Sequence, residues 1–160
     1  MTFPHTSDTG GWRQNHMGHW LRLALVQFDA RVMQLMAQHP AVPLGLSNLV
    51  ARGQVGAAHI HITRHLAQSG SRLTDLALRA GMTKQAMGTL VDQCEAWGMV
   101  GRSHDPADGR ARQVVFTDIG LAWLGAYRDA VAQAELEMRQ AIGEEVATVV
   151  AIGLEAYSGQ

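Results

Sequence analysis

The feature that most constrains this chain is a block, residues 73–117, in which helix-start signals, a glycine turn and a strand–turn–strand pattern follow one another. Thr74 and Thr83 are each placed to cap a helix, because a threonine hydroxyl accepts a hydrogen bond from a first-turn N–H group. Gly81 between them can adopt the left-handed conformation that closes the first helix, and the second runs to Trp97. Two short helices joined by a glycine turn predict a helix-turn-helix.

A β-hairpin is predicted directly after the second helix. Met99–Ser103 and Gln113–Thr117 are rich in residues suited to strands. The segment between them, His104–Arg112, contains Asp-Pro and Asp-Gly turn signals. We therefore expect a wing with a long, flexible tip.

Helices are predicted on both sides of this block. Leu21, Leu25, Phe28, Val32 and Leu35 recur at helical spacing and form one apolar face. The predicted helix covers residues 17–39, because the residue before Pro40 is disfavoured in the α conformation. A Gly- and Pro-rich connection over 40–56, with one helical turn at 47–52, and a helix over 57–68 are expected to follow.

The C-terminal region is predicted to form two further helices. Thr117 can cap the first, which continues to about Ala141, and Gly143 interrupts the pattern. Glu144 and Glu145 suit the first turn of the second, since negative charge is favoured at a helix N-terminus.

Composition indicates one globular domain over 1–160, because 47% of the residues are hydrophobic and 160 residues fit a single core. Residues 1–16 are polar and predicted to be a flexible arm. The start lacks the pattern of a signal peptide, and the single cysteine, Cys94, excludes an intrachain disulfide framework. We expect a soluble, cytoplasmic protein.

Charge is unevenly distributed, although the net charge is only −1. Residues 118–160 carry seven acidic and two basic side chains, whereas residues 1–70 are net positive. The only lysine, Lys84, begins the second helix of the predicted helix-turn-helix. This asymmetry is compatible with nucleic-acid binding through the central block and does not establish it.

Two sequence runs make the pattern specific. LTDLALRAGMTKQAMGTLVDQCEAWGMVGR (Leu73–Arg102) resembles the helix-turn-helix of the MarR family of transcription regulators, and DPADGRARQVVFTDIG (Asp105–Gly120) resembles its wing and the start of its long C-terminal helix. The resemblance implies a mainly α fold with a small β-hairpin wing (α+β). It also implies a winged helix-turn-helix over 57–117 and dimerisation helices over 17–39 and 118–157.

The resemblance also implies a function: a homodimeric regulator, commonly a repressor, bound to a pseudo-palindromic site in double-stranded DNA. The N-terminal residues of a recognition helix reach base edges in the major groove. An arginine at the wing tip, here Arg110 oriented by Asp108, is attracted to a narrow minor groove. The candidate DNA-binding residues are Thr74, Thr83, Lys84, Gln85, Ala86, Gly88, Thr89, Arg102, Asp108, Arg110 and Arg112.

This chain departs from the family pattern in two places. Gly109 stands where family wings often carry the first of two arginines, and Thr89, Gln93 and Trp97 occupy the half of the recognition helix that often carries arginines. Each change removes positive charge. We therefore expect modest non-specific affinity and a shallow salt dependence.

Family members commonly respond to small aromatic molecules bound between the dimer helices and the winged domain. A ligand that favours one separation of the two wings would change DNA affinity by population shift. Ordinary core packing is the alternative interpretation of every side chain in that region. The candidate effector-binding residues are Met33, Met36, His39, His61, His65 and Trp123.

Other functions have weaker support. His61 and His65 have the spacing that places two imidazoles on one helix face, but with His59 they lack a nearby carboxylate or thiol to complete a metal site. Cys94 occupies a position that the family usually fills with leucine, which favours a buried, inert thiol over a redox sensor. We predict neither metal nor cofactor, and no enzyme, because no phosphate loop or nucleophile–base set is present. The main alternative function is a winged helix that binds a protein partner or only dimerises.

Overall fold

The computed structural model describes residues 11–159, and residues 1–10 of the predicted flexible arm lie outside the described residues. Residues 11–13 of that predicted arm form a short 3-10 helix. The described elements, in chain order, are α1 (Met17–Gln38), α2 (Leu44–Ala51), α3 (Ala57–His65), β1 (Ser71–Arg72), α4 (Leu73–Arg79), α5 (Lys84–Ala96), β2 (Val100–Asp105), β3 (Asp108–Phe116), α6 (Asp118–Ile142) and α7 (Glu144–Ser158).

The fold is mainly helical with a small antiparallel sheet, which confirms the predicted winged helix-turn-helix class. The sheet has the strand order β1-β3-β2. Its hairpin, β2 and β3, is the predicted wing. The third strand, β1, is only two residues long and was not predicted.

Several local sequence signals behave as predicted. The Thr83 hydroxyl accepts a hydrogen bond from the Ala86 amide at 3.1 Å, and the Thr117 hydroxyl accepts one from the Gly120 amide at 3.1 Å. Gly81 closes the helix-turn-helix turn with φ +64°, a conformation that favours glycine. These short-range signals therefore fix where α5 and α6 begin.

The predicted cap at Thr74 is wrong. Helix α4 begins one residue before Thr74, at Leu73, and Arg72 is its N-cap residue without a side-chain capping bond. The reason is the sheet, since Ser71 and Arg72 pair with Val114 and Gln113 and hold the chain extended up to the start of the helix. Thr74 therefore lies inside the first turn.

The long, flexible wing tip is also wrong. Strand β2 continues to Asp105 and β3 begins at Asp108, so only Pro106 and Ala107 separate them. The Asp105 carboxylate accepts a hydrogen bond from the Ala107 amide at 2.8 Å, which stabilises the tight turn. The aspartate, glycine and arginine of the expected tip, residues 108–110, are consequently part of a strand.

Two helical predictions need smaller corrections. The connection over 40–56 contains the eight-residue α2 rather than one turn at 47–52, and Leu46 and Val50 of this helix are buried. The helix predicted over 57–68 ends at His65.

Helix α6 packs against its neighbours through four small residues and one tryptophan. Its buried positions are Gly120, Trp123, Ala126, Ala130 and Ala134. The larger apolar residues Leu121 and Leu136 of this helix are exposed. Alanine and glycine let α6 approach its neighbours closely, while Val32 and Met36 of α1 belong to the same core.

Apolar side chains remain exposed on two helices that flank the winged region. On α1 these include Trp20 and Leu25, and on α7 they include Val149 and Ile152. Monomeric proteins seldom leave a large contiguous apolar patch in water. Between residues 11 and 159, none of the helices combines the length and apolar character needed to cross a membrane.

Candidate nucleic-acid interface

Helix α5 has one buried and one exposed face. Met87, Leu90, Val91 and Cys94 are buried against the core. The predicted base-contacting positions Thr83, Lys84, Gln85, Ala86 and Thr89 are all exposed. The N-terminal half of α5 is therefore free to enter a groove while its other face anchors it to the domain.

Gly88 lies between these two faces. A Cβ atom built there would lie 3.8 Å from Leu73 Cδ2, an ordinary contact distance. Gly88 is half-buried, so it packs beside α4 rather than projecting from the helix. The packing therefore has room for a methyl group at this position and does not itself require glycine.

The wing carries Arg110 and Arg112 on one face, because alternate residues of a strand point the same way. Arg112 pairs across the hairpin with His104, and Val114 two residues further on pairs with Arg102. Both arginines are exposed, and within residues 11–159 neither forms an ion pair. Their guanidinium groups are therefore available to phosphate or base edges.

Asp108 orients the wing in a different way from the one expected. Its carboxylate accepts a hydrogen bond from the Arg110 main-chain amide at 3.1 Å and does not bind the Arg110 guanidinium. Its other oxygen faces Arg72 Nη2 at 3.6 Å. Asp108 thus fixes the backbone of Arg110 and leaves that side chain unconstrained.

Arg102, predicted as a DNA contact, instead ties the wing to the recognition helix. Its Nη2 atom donates to Asp92 at 2.5 Å, and its Nη1 atom donates to Glu95. Both acceptors are on α5. Because these carboxylates hold the guanidinium at the base of the hairpin, Arg102 is part of the scaffold of the interface.

Arg72 is a residue that the sequence analysis missed. Its Nε atom donates to Asp105 at 2.7 Å, across 33 positions of the sequence. This hydrogen bond raises the pKa of Arg72, while the Ala107 amide and Arg72 together lower the pKa of Asp105. No local signal could have identified this pair, because the two residues meet only after the sheet forms.

The C-terminal half of α5 contacts α3. His59 Nδ1 accepts a hydrogen bond from the Gly56 amide at 3.2 Å, so its Nε2 atom is the donor toward Gln93 Oε1 at 2.8 Å. The His59 and Trp97 rings lie 4.7 Å apart. Gln93 and Trp97, two positions where the family often carries arginine, therefore contact His59 of α3.

The six predicted effector-binding residues line neither of the two grooves that we describe between residues 11 and 159. Met36 and Trp123 are core residues, and Trp123 Nε1 donates to the Thr63 hydroxyl at 3.0 Å. These two grooves of the described chain lie elsewhere, one beside α6 near Tyr127 and one between α1, α6 and α7. Of the other four residues, Met33 packs against the core. His39 Nε2 lies 3.6 Å from Asp129 Oδ2, and the rings of His61 and His65 stack on each other.

The histidine and cysteine side chains take separate positions. His61 and His65 stack with ring centroids 6.0 Å apart, while His59 contacts α5. Across residues 11–159, no three potential metal ligands converge. Burial raises the pKa of the Cys94 thiol to about 12, so it stays protonated at physiological pH.

Residues 54–111, which run from before α3 into β3, match the MarR family model. This segment is therefore similar to the winged helix-turn-helix of the MarR family. It includes α4, α5, β2 and the Asp108–Arg110 region of the wing. Curated protein sequences contain no match to this chain.

Solved structures extend the MarR-like fold to nearly the whole chain. The transcriptional repressor CouR bound to a 23-mer DNA duplex has a TM-score of 0.68 and 20% identity, covering 93% of this chain and 96% of that chain. CouR from Rhodococcus jostii RHA1 bound to p-coumaroyl-CoA has a TM-score of 0.64 and 18% identity, with coverages of 90% and 92%. A Mycobacterium tuberculosis MarR family protein in complex with salicylic acid has a TM-score of 0.60 and 20% identity, with coverages of 89% and 96%.

Proposed function

We propose that this protein is a sequence-specific, double-stranded-DNA-binding transcription regulator of the MarR type, acting as a homodimeric repressor released by a small molecule. The observation that carries the proposal is the exposed N-terminal half of α5 beside a wing with two exposed arginines, Arg110 and Arg112. Both features lie in or next to the segment that matches the family model. That a structurally similar repressor, CouR, was solved on a DNA duplex supports it further.

In this proposal α5 enters the major groove and the wing borders the minor groove. Gln85 has the amide geometry to pair with adenine, and Lys84 can contact guanine or a phosphate. Arg110 and Arg112 lie on the same face of the hairpin as Arg102, whose guanidinium group donates a hydrogen bond to α5. The wing and the recognition helix therefore approach the duplex from the same side.

The remaining predicted contacts divide by role. Thr83 and Thr74 lie at the N-terminal ends of α5 and α4, where main-chain N–H groups suit phosphate. Ala86 and Thr89 are exposed one turn apart and suit apolar contact with a thymine methyl group. Arg102 is left out of the proposed contact set because Asp92 and Glu95 hold it.

Dimerisation is proposed through the flanking helices, over residues 17–39 and 118–157. A groove of about 670 Å³ between α1, α6 and α7 is lined by apolar residues that include Phe28, Met138 and Val150. Helix α7, which supplies Val150 to this groove, also carries exposed apolar residues such as Val149. A two-fold dimer formed through these faces would present two α5 helices to half-sites about one helical turn, roughly 34–36 Å, apart.

Release by a small molecule is the least direct part of the proposal. Relatives of the same fold were solved with p-coumaroyl-CoA and with salicylic acid, both of which carry an aromatic ring. An aromatic effector that preferred one spacing of the two wings would shift DNA affinity by that preference. The proposed contact region is the junction of α1, α3 and α6, where His39, His65 and Trp123 lie.

The experiment that tests DNA recognition begins with selection of a preferred duplex from a random pool, followed by fluorescence anisotropy on that duplex. The expected result is sequence-selective binding that Arg110→Ala weakens by about tenfold, the lower part of the range for loss of a specific arginine contact. Arg52→Ala is the matched control, because Arg52 is exposed at the end of α2, outside the proposed DNA-binding and dimerisation regions. Enrichment of no sequence, or equal losses in both variants, would contradict the proposal.

A further inference from the structure

Two aspartates flank the turn at the tip of the wing, and both contact one arginine that lies outside the hairpin. Arg72 Nε lies 2.7 Å from Asp105 Oδ2, and Arg72 Nη2 lies 3.6 Å from Asp108 Oδ2. Pro106 and Ala107 form the turn between the two aspartates. We refer to Arg72, Asp105 and Asp108 as the wing clasp.

Each carboxylate of the wing clasp also holds the main chain of the wing. The second oxygen of Asp105 accepts from the Ala107 amide at 2.8 Å, and the second oxygen of Asp108 accepts from the Arg110 amide at 3.1 Å. Arg72 therefore restrains two carboxylates that in turn restrain the turn and the backbone of Arg110. The chain of contacts ends at the residue proposed to enter the minor groove.

The other end of the wing clasp is fixed to the helix-turn-helix. Arg72 pairs with Gln113 in the sheet and is the N-cap residue of α4. Its backbone is held on both sides, so its side chain reaches the wing from a defined position. The clasp thus links α4 to the wing tip, while Arg102 links α5 to the wing base.

We propose that Arg72 is a positioning residue that sets where Arg110 meets the duplex, an inference that rests on the proposed DNA binding. The Nε and Nη2 groups of Arg72 face carboxylates of the wing. Removing it frees the two carboxylates and loosens the turn before Arg110. Specific binding then weakens, because part of the binding free energy is used to order the loosened wing.

The first experiment needs no DNA. Amide hydrogen exchange at Ala107 and Arg110 is compared in the wild type, Arg72→Ala and Asp105→Asn. Asp105→Asn keeps a side-chain oxygen for the Ala107 amide and removes only the ion pair with Arg72. It therefore controls for structural damage caused by the larger change, Arg72→Ala. Both variants are expected to exchange faster at these two amides, with unchanged exchange in α6. Unchanged protection at the wing amides would overturn the proposal.

The second experiment separates positioning from direct contact by measuring affinity for the selected duplex. Arg72→Ala and Asp105→Asn should each weaken binding by about threefold, the scale of one part-exposed ion pair. If Arg72 acts through Arg110, Arg72→Ala adds no further loss in an Arg110→Ala background. A loss that persists in that background would mean that Arg72 contacts phosphate directly, and the proposal would be wrong.

The two experiments also separate this inference from the proposed function. If neither the wild type nor the Arg52→Ala control selects any duplex, DNA recognition fails and the role of Arg72 in it fails as well. The exchange rates at Ala107 and Arg110 would then still report whether the wing clasp orders the hairpin. If the duplex is bound and Arg110→Ala weakens binding while Arg72→Ala does not, only the positioning role is lost.

Discussion

Gly120 is the position where a single added methyl group should do the most damage. It is buried in the first turn of α6, where the helix meets the end of the wing. A Cβ atom there would overlap the main-chain oxygen of Met99 and lie 2.9 Å from Phe116 Cδ1. The Met99 oxygen is itself held by a hydrogen bond from the Thr117 amide at 3.1 Å, so it is poorly able to move away.

The expected magnitude comes from two opposing terms. Replacing glycine by alanine in a helix favours folding by at most about 1 kcal/mol. Overpacking of a fixed core site typically costs about 1–3 kcal/mol, and the upper end applies here because a backbone atom blocks the space. Gly120→Ala should therefore lower the free energy of unfolding by about 2 kcal/mol, or the unfolding midpoint by roughly 4–8 °C.

Gly125→Ala is the matched control, because it makes the same change in the same helix. A Cβ atom at Gly125 would meet nothing within 4 Å, so only the helix-propensity gain remains. This variant should raise the midpoint by roughly 2–4 °C. Thermal unfolding followed by circular dichroism, at one fixed protein concentration, measures both. A Gly120→Ala protein as stable as Gly125→Ala would show that the Met99 oxygen does not exclude a methyl group at position 120.

Three further predictions follow from individual side chains. Thr83→Ala should lower the free energy of unfolding in urea by about 1 kcal/mol, through loss of the α5 cap, and an unchanged midpoint would show that the cap does not matter. The Cys94 thiol, with its pKa raised to about 12 by burial, should resist iodoacetamide at pH 8 until the protein unfolds, and rapid labelling of the native protein would contradict this. The hydrogen bond from Arg31 lowers the pKa of Glu137 to about 2, so this pair contributes stability that is fully present above the unfolded-state pKa of about 4.3 and is lost as the pH falls toward 2. Glu137→Gln should accordingly unfold at a lower temperature than the wild type at pH 7, with the difference shrinking below about pH 4, whereas the control Glu155→Gln should show a smaller difference at both pH values.

The parts of the fold that could be predicted from the sequence are those set by neighbouring residues. Thr83 and Thr117 cap helices because each hydroxyl binds an amide three residues ahead. Gly81 closes a turn because its positive φ is costly for other residues. The exposure of the start of α5 agrees with the expectation, drawn from the resemblance to the MarR helix-turn-helix, that the N-terminal residues of a recognition helix face DNA.

The parts that could not be predicted depend on contacts between distant segments. Strand β1 exists only because Ser71 pairs with Val114, and this pairing moves the start of α4 away from Thr74. The ion pairs of Arg102 with Asp92 and Glu95 join the wing to α5, and no local pattern indicated them. Arg72 carried no signal at all, because its two partners lie more than thirty residues further along the chain.

A hydroxyl-radical footprint on the selected duplex tests whether two copies of α5 and its wing bind one duplex. Two protected segments are expected on one face of the DNA, with centres about 10–10.5 base pairs, or a multiple of that spacing, apart. Arg110→Ala should reduce protection in the flanking minor groove while protection in the major groove remains. A single protected segment, or uniform protection along the whole duplex, would show that two copies do not bind the duplex in this way.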